Sequence, residues 1–152
     1  MDPEIRELVD FLAQTPALIS RRIAALPDVE VRRQRADGSF SIAAEVCHLR
    51  DLEIEGYGAR IERLLKEDRP SLPDFDGALI AIERDYNSQD VQEALKSFAR
   101  ARGQNLNRVS ALPEEQFERE GTLDGVGCIT LKRLLALMKE HDQGHLLTLI
   151  QP

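Results

Sequence analysis

Apolar residues recur at helical spacing in four separate stretches of this chain, and that repetition constrains its fold more than any single motif. In the first stretch Ile5, Leu12, Ile19 and Leu26 return every seven residues, with Leu8, Val9 and Ile23 beside them. Residues so spaced share one helical face, which predicts an amphipathic helix from Pro3 to about Leu26. Asp2 is placed to cap it, and Pro3 suits the first helical position, where a missing N–H costs nothing. Pro16 interrupts the stretch without shifting its phase. The reading is one helix kinked at the proline, against the alternative of a break capped by Thr15.

The second helix is expected from Ser41, a good N-cap, to about Lys66. Cys47, Ile54, Ile61 and Leu65 mark its stripe, with His48, Leu52 and Ala59 along the flank. Gly56 and Gly58 weaken it locally. The third helix spans about Val91 to Leu112, opened by Asp90 and Glu93 in the manner of a capping box and ended by Pro113. The fourth starts after Thr130 and runs to near Ile150, with Leu131, Leu134, Leu135, Met138, Leu146 and Leu149 inward. Strand signal is scarce. These features predict an all-α four-helix bundle, one domain over residues 1–152. The connection from Asp68 to Ser88 holds Pro70, Pro73 and Gly77, with a short helical turn over Leu79 to Tyr86. It is long for adjacent antiparallel helices and predicts a crossover. The link from Pro27 to Phe40 carries Arg32, Arg33 and Arg35 and reads as a solvated loop.

Composition narrows the function classes. The formal net charge is −7, so neither a phosphate-binding nucleic-acid surface nor an anionic-membrane surface is expected. Two cysteines, Cys47 and Cys128, are too few for a disulfide scaffold. The N-terminus lacks the apolar run of a signal peptide, and no stretch approaches the roughly 20 apolar residues of a spanning helix. A cytoplasmic protein is expected. Gly-x-Gly-x-x-Gly, Walker and Gly-x-Ser-x-Gly motifs are absent.

The chain holds three histidines. His141 and His145 lie four apart in the fourth helix and so share a face. They continue its apolar stripe, where a core seldom needs two stacked imidazoles. His48, taken alone, reads more readily as a core histidine. The bundle can bring it across to the other two. Three imidazoles without a fourth protein ligand suit an open, reactive divalent-metal site. The motif His141-Asp142-Gln143-Gly144-His145 resembles the His-Glu-x-x-His of zinc proteases, but Asp is shorter than Glu and no third ligand follows at the usual spacing. Asp142, Asp51 and Glu45 are candidates to orient the imidazoles, against the alternative that they are solvated surface acids. Cys47 is expected in the core, since neighbouring helical residues point about 100° apart. Arg100 and Arg102 could bind an anionic substrate, although ordinary surface arginines are the expectation.

The stretch from Ser41 to Asp51, with His48 and Asp51, resembles the start of the second helix in the DinB-like (YfiT-like) family. Glu140 to Leu146 resembles its final helix. The Thr15-Pro16-Ala17-Leu18 and Arg100-Ala101-Arg102 stretches also sit where such proteins often have similar residues. One departure is Phe40 in place of a Trp before the helix-two Ser. The resemblance implies a four-helix bundle, often a homodimer, with a divalent metal on His48, His141 and His145. Zn or Ni is the first expectation, Mn or Fe the second. It implies a metal-dependent hydrolase, or a thiol S-transferase acting with a bacterial low-molecular-weight thiol on a small-molecule substrate. The alternatives are a non-catalytic metal-binding or stress-response bundle, and an interaction bundle whose histidines only pack.

Overall fold

The computed structural model describes residues 1–150. Asp2 accepts a hydrogen bond from the Glu4 backbone N–H at 2.7 Å and opens α1, Pro3–Ala24. The helix continues through Pro16, so the stretch is one helix and not two. Ile5, Leu8, Leu12, Ile19 and Ile23 are its buried face. α2, Asp28–Val31, is a short helix in the link expected as solvated loop. That link is better anchored than expected, because Val31 is buried and Arg32 donates to the carbonyls of Asn87 and Gln89 at 2.6 and 3.0 Å.

Ser41 caps the Ala44 N–H at 3.1 Å and starts the second long helix. This helix has three parts: α3, Ile42–Asp51, a widened π-helical turn over Leu52–Gly58, and α4, Ala59–Lys66. A π-turn adds a residue to the helical count and shifts the phase of everything beyond it. Ile54, expected on the core stripe, is therefore 49% exposed, while Leu52, Glu53 and Tyr57 turn inward. The core stripe resumes at Ile61 and Leu64.

A crossover follows as predicted. It contains β1, Ser71–Leu72, then α5, Gly77–Glu83, and a 3-10 turn over Tyr86–Ser88. α6, Val91–Ser110, is capped by Asp90, which accepts from the Glu93 N–H at 3.1 Å. A 3-10 turn over Glu114–Glu118 leads to β2, Glu120–Leu123, and β3, Gly127–Thr130. α7, Leu131–Ile150, completes the bundle. α1 lies against α6 and α7, and α3 against α6.

The fold is the expected four-helix bundle, mostly helical, with a small sheet added to it. The strands run in the order β1-β2-β3, β1 parallel and β3 antiparallel to β2. They are two to four residues long, too short for alternation to show in the sequence. Gly125, at φ 78°, supplies the left-handed backbone of the β2–β3 turn. Among the described residues no helix is long and apolar enough to cross a membrane.

Candidate metal centre

α3 and α7 bring the three histidines together. One ligand nitrogen from each of His48, His141 and His145 lies within 4.8 Å of the others. His141 and His145, one turn apart on α7, place their Nε2 atoms 3.0 Å apart. The His48 ring centroid lies 5.6 Å from that of His141 and 5.4 Å from that of His145. Phe40 and Phe75 flank His48 at centroid distances of 5.6 and 6.1 Å. The N-terminus of α5 presses on the same ring: a Cβ at Gly77 would fall 2.7 Å from His48 Cε1. Only a residue without a side chain lets the backbone come so close.

Glu45, one of the three candidate orienting acids, does orient an imidazole. Its Oε1 lies 2.7 Å from His145 Nδ1. An ionised carboxylate only accepts, so Nδ1 carries the proton of that bond and Nε2 is the ring nitrogen left facing the cluster. Glu45 also accepts from Arg35 Nη1 at 2.9 Å and from the Thr148 hydroxyl. Burial alone would raise its carboxyl pKa, but the bonds from His145 and Thr148 outweigh it and hold the group below the usual range.

The carboxylates of the other two acids bond to groups other than the histidines. Asp51 accepts from Tyr86 Oη at 2.6 Å, Arg50 Nε at 2.8 Å and Arg84 Nη1 at 3.0 Å. Asp142 accepts from Arg102 and Thr15. All three acids are buried, so none is the solvated group of the alternative reading. Cys47 packs in the core as expected, its Sγ directed at the Tyr86 carbonyl, and burial pushes its thiol up. Cys128 is exposed. Arg102 overturns the expectation of a surface arginine, being 1% exposed and ion-paired, whereas Arg100 is exposed.

The donor set suits a divalent cation. Burial, reinforced by neighbouring His145, pushes His48 down to about 4 and His141 down to about 3. Both imidazoles are therefore neutral at pH 7, the form that offers a lone pair. The buried Nδ1 atoms of His48 and His141 have no hydrogen-bond partner among the described residues. Such an atom costs about 1–3 kcal/mol when left unsatisfied. A cleft of about 390 Å³ opens over His141 and His145, walled by Arg35, Phe40, Glu45 and Gly144.

Sequence reasoning missed Arg35, Thr148, Phe75 and Gly77. Thr148 lies one turn from His145 and was visible in principle. The other three reach the site through loops or α5, which no periodicity locates.

The DinB superfamily model matches residues 12–149. The chain belongs to the DinB superfamily. It is 23% identical to a Bacillus subtilis (strain 168) protein named "Putative metal-dependent hydrolase YfiT", over 91% of this chain and 78% of that one. It is 21% identical to a "Putative metal-dependent hydrolase" of Geobacillus thermodenitrificans (strain NG80-2), over 96% of this chain and 84% of that one. The solved structure of YfiT from Bacillus subtilis superposes with a TM-score of 0.91 at 20% identity, covering 99% of this chain and 86% of that one. It is described as having "an unusual four-helix bundle topology". This superfamily member therefore shares the YfiT fold.

Proposed function

We propose that this DinB-superfamily protein is a metal-dependent hydrolase in which His48, His141 and His145 hold one divalent cation. The observation that carries this reading is the convergence of three imidazole nitrogens from two helices within 4.8 Å. The names of the two relatives, each printed as "Putative metal-dependent hydrolase", support it. Zn or Ni is favoured by the all-imidazole donor set, with Mn or Fe as further candidates.

When bound, the cation supplies Lewis acidity and lowers the pKa of a coordinated water towards about 7. The protein's own residues do the rest. Glu45 holds the His145 Nδ1–H and so turns Nε2 of that ring toward the cluster. Arg35 and Thr148 hold Glu45 in place from opposite elements. Phe40, Phe75 and Tyr57 wall the imidazoles with apolar surface and limit bulk water around them. The cleft beside Gly144 admits the substrate, a small molecule. A low-molecular-weight thiol would reach the same position, so thiol transfer is the reading to set against hydrolysis.

The test is elemental mass spectrometry of untagged protein beside a His141→Ala/His145→Ala variant. About one divalent ion per chain is expected in the parent, and none in the folded variant. A parent that takes up no Zn, Ni, Mn or Fe under reducing conditions would sink the proposal. Ester, amide and thiol-transfer substrates then separate the two chemistries, with chelation abolishing whichever is real.

A further inference from the structure

Two helices of this bundle are irregular, and both irregularities meet one arginine. Pro16 has no N–H, so in α1 the carbonyl of Leu12, four residues back, loses its helical partner. Arg102 Nη1 from α6 supplies a replacement at 2.9 Å. The π-helical turn brings Glu53 inside, where its carboxylate lies 2.9 Å from Arg102 Nη2. One turn further along α6, Asn105 Nδ2 donates to the Glu53 carbonyl at 3.2 Å and to its carboxylate at 2.8 Å. The same guanidinium grips Asp142 of α7 with two bonds, of 2.7 and 3.0 Å. Thr15, beside the proline, donates to Asp142 at 2.7 Å. Its charged groups and Thr15 are buried: Glu53, Arg102 and Thr15 are 1% exposed and Asp142 is 0% exposed.

A buried ion pair is a poor source of stability, since desolvation offsets most of its attraction. What it can do is select one arrangement of the elements that carry the charges. Here the charges sit on three of the bundle helices, and the Leu12 carbonyl and Thr15 hydroxyl tie in the fourth. Asp142 follows His141 directly, about 100° round α7. Clamping Asp142 toward Arg102 therefore sets the rotation of α7 that turns His141 and His145 to face His48. On the second helix Glu53 lies just beyond His48 and fixes the phase of that helix in the same way.

We propose that Arg102 is a positioning residue for the histidine cluster, holding α1, the π-helical turn and α7 in the one rotational setting that converges the three imidazoles. The proposal rests on the metal reading above, and the experiment separates the two. Arg102→Lys keeps the charge but loses the two-pronged grip on Asp142 and the reach to Leu12. Asp142→Asn keeps the shape but weakens the same grip. Each is compared with the parent for folding by circular dichroism, for Co(II) affinity, and for the Co(II) visible spectrum. In metal-free protein, nuclear Overhauser contacts between the His48 and His145 rings are measured as well.

The expected result is a folded variant whose Co(II) affinity falls about tenfold or more, the scale of supporting-residue substitutions at metal sites. Its Co(II) spectrum changes and its inter-ring contacts weaken. A folded variant with parental affinity, spectrum and ring contacts overturns the proposal. Loss of folding in both variants also overturns it, by assigning the cluster to stability. If the parent binds no Co(II), the metal reading fails, while the ring contacts still decide whether Arg102 positions the histidines.

Discussion

His145 shows how one side chain's chemistry is set by its neighbours. Its Nδ1 proton is committed to Glu45, and Glu45 is committed in turn to Arg35 and Thr148. Glu45→Gln exchanges a charged acceptor for an amide that can present either end to Nδ1. Metal affinity is expected to fall about 10–100-fold while the fold persists. Isothermal titration with Zn checks this, and parental affinity would show that Glu45 does not orient the ligand. The pH response also belongs to single residues. His48 and His141 stay neutral in the fold down to about pH 4 and 3, whereas in the unfolded chain they take protons below their ordinary 6.5. The unfolded state then binds more protons, so stability falls as the pH is lowered through that window. Glu45 and Asp51, both held below their ordinary values, add to the loss as they protonate in the fold. Urea midpoints of metal-free protein should drop steadily from pH 7 to pH 4. The His48→Gln variant should show a shallower slope.

At the scale of elements, the π-helical turn and α7 do different work. The turn displaces Ile54 to the surface and sends Glu53 inward, and Gly58 makes it possible. A Cβ at Gly58 would lie 3.0 Å from the Glu53 carbonyl and 3.2 Å from Asn105 Oδ1. Ordinary helix propensity predicts that replacing this glycine stabilises the helix. The close approach predicts the reverse, so Gly58→Val is expected to cost about 1–3 kcal/mol as overpacking. Thermal or urea unfolding gives the sign. On α7, a Cβ at Gly144 meets nothing within 4 Å, and the residue lines the cleft over the histidines. Gly144→Trp should fill that cleft without touching a ligand. Metal content should stay at the parental level while binding of acetohydroxamate to the Co(II) protein is lost. Unchanged hydroxamate binding would show that ligands approach from another side.

For the whole molecule, the dividing line between what was legible in the chain and what was not follows the range of the interactions. Periodicity is local, so Ile5, Leu12 and Ile19, or Leu131, Leu134 and Leu135, report their helix and its buried face without any partner. Caps are local too, and Asp2, Ser41, Asp90 and Thr130 all act where the sequence places them. The spacing of His141 and His145 and the resemblance of the segments around His48 pointed to one cluster, and the imidazoles do converge. Other features depend on contacts between residues far apart in the chain. The first strand forms only because Ser71 and Leu72 find Thr122 and Leu123 across the molecule. The phase shift that exposes Ile54 arises in a turn whose Glu53 is matched by Arg102 and Asn105 of α6. Arg102 itself, one charged residue on an amphipathic helix, looks like surface until three other helices are seen to enclose it. The sequence by itself thus determined the four long helices, their caps and the candidate ligands, because those follow from neighbours within a few turns. Tertiary structure alone decided which acid orients His145, where the sheet forms, and that a buried arginine ties the four helices together, because each needs partners that only packing supplies.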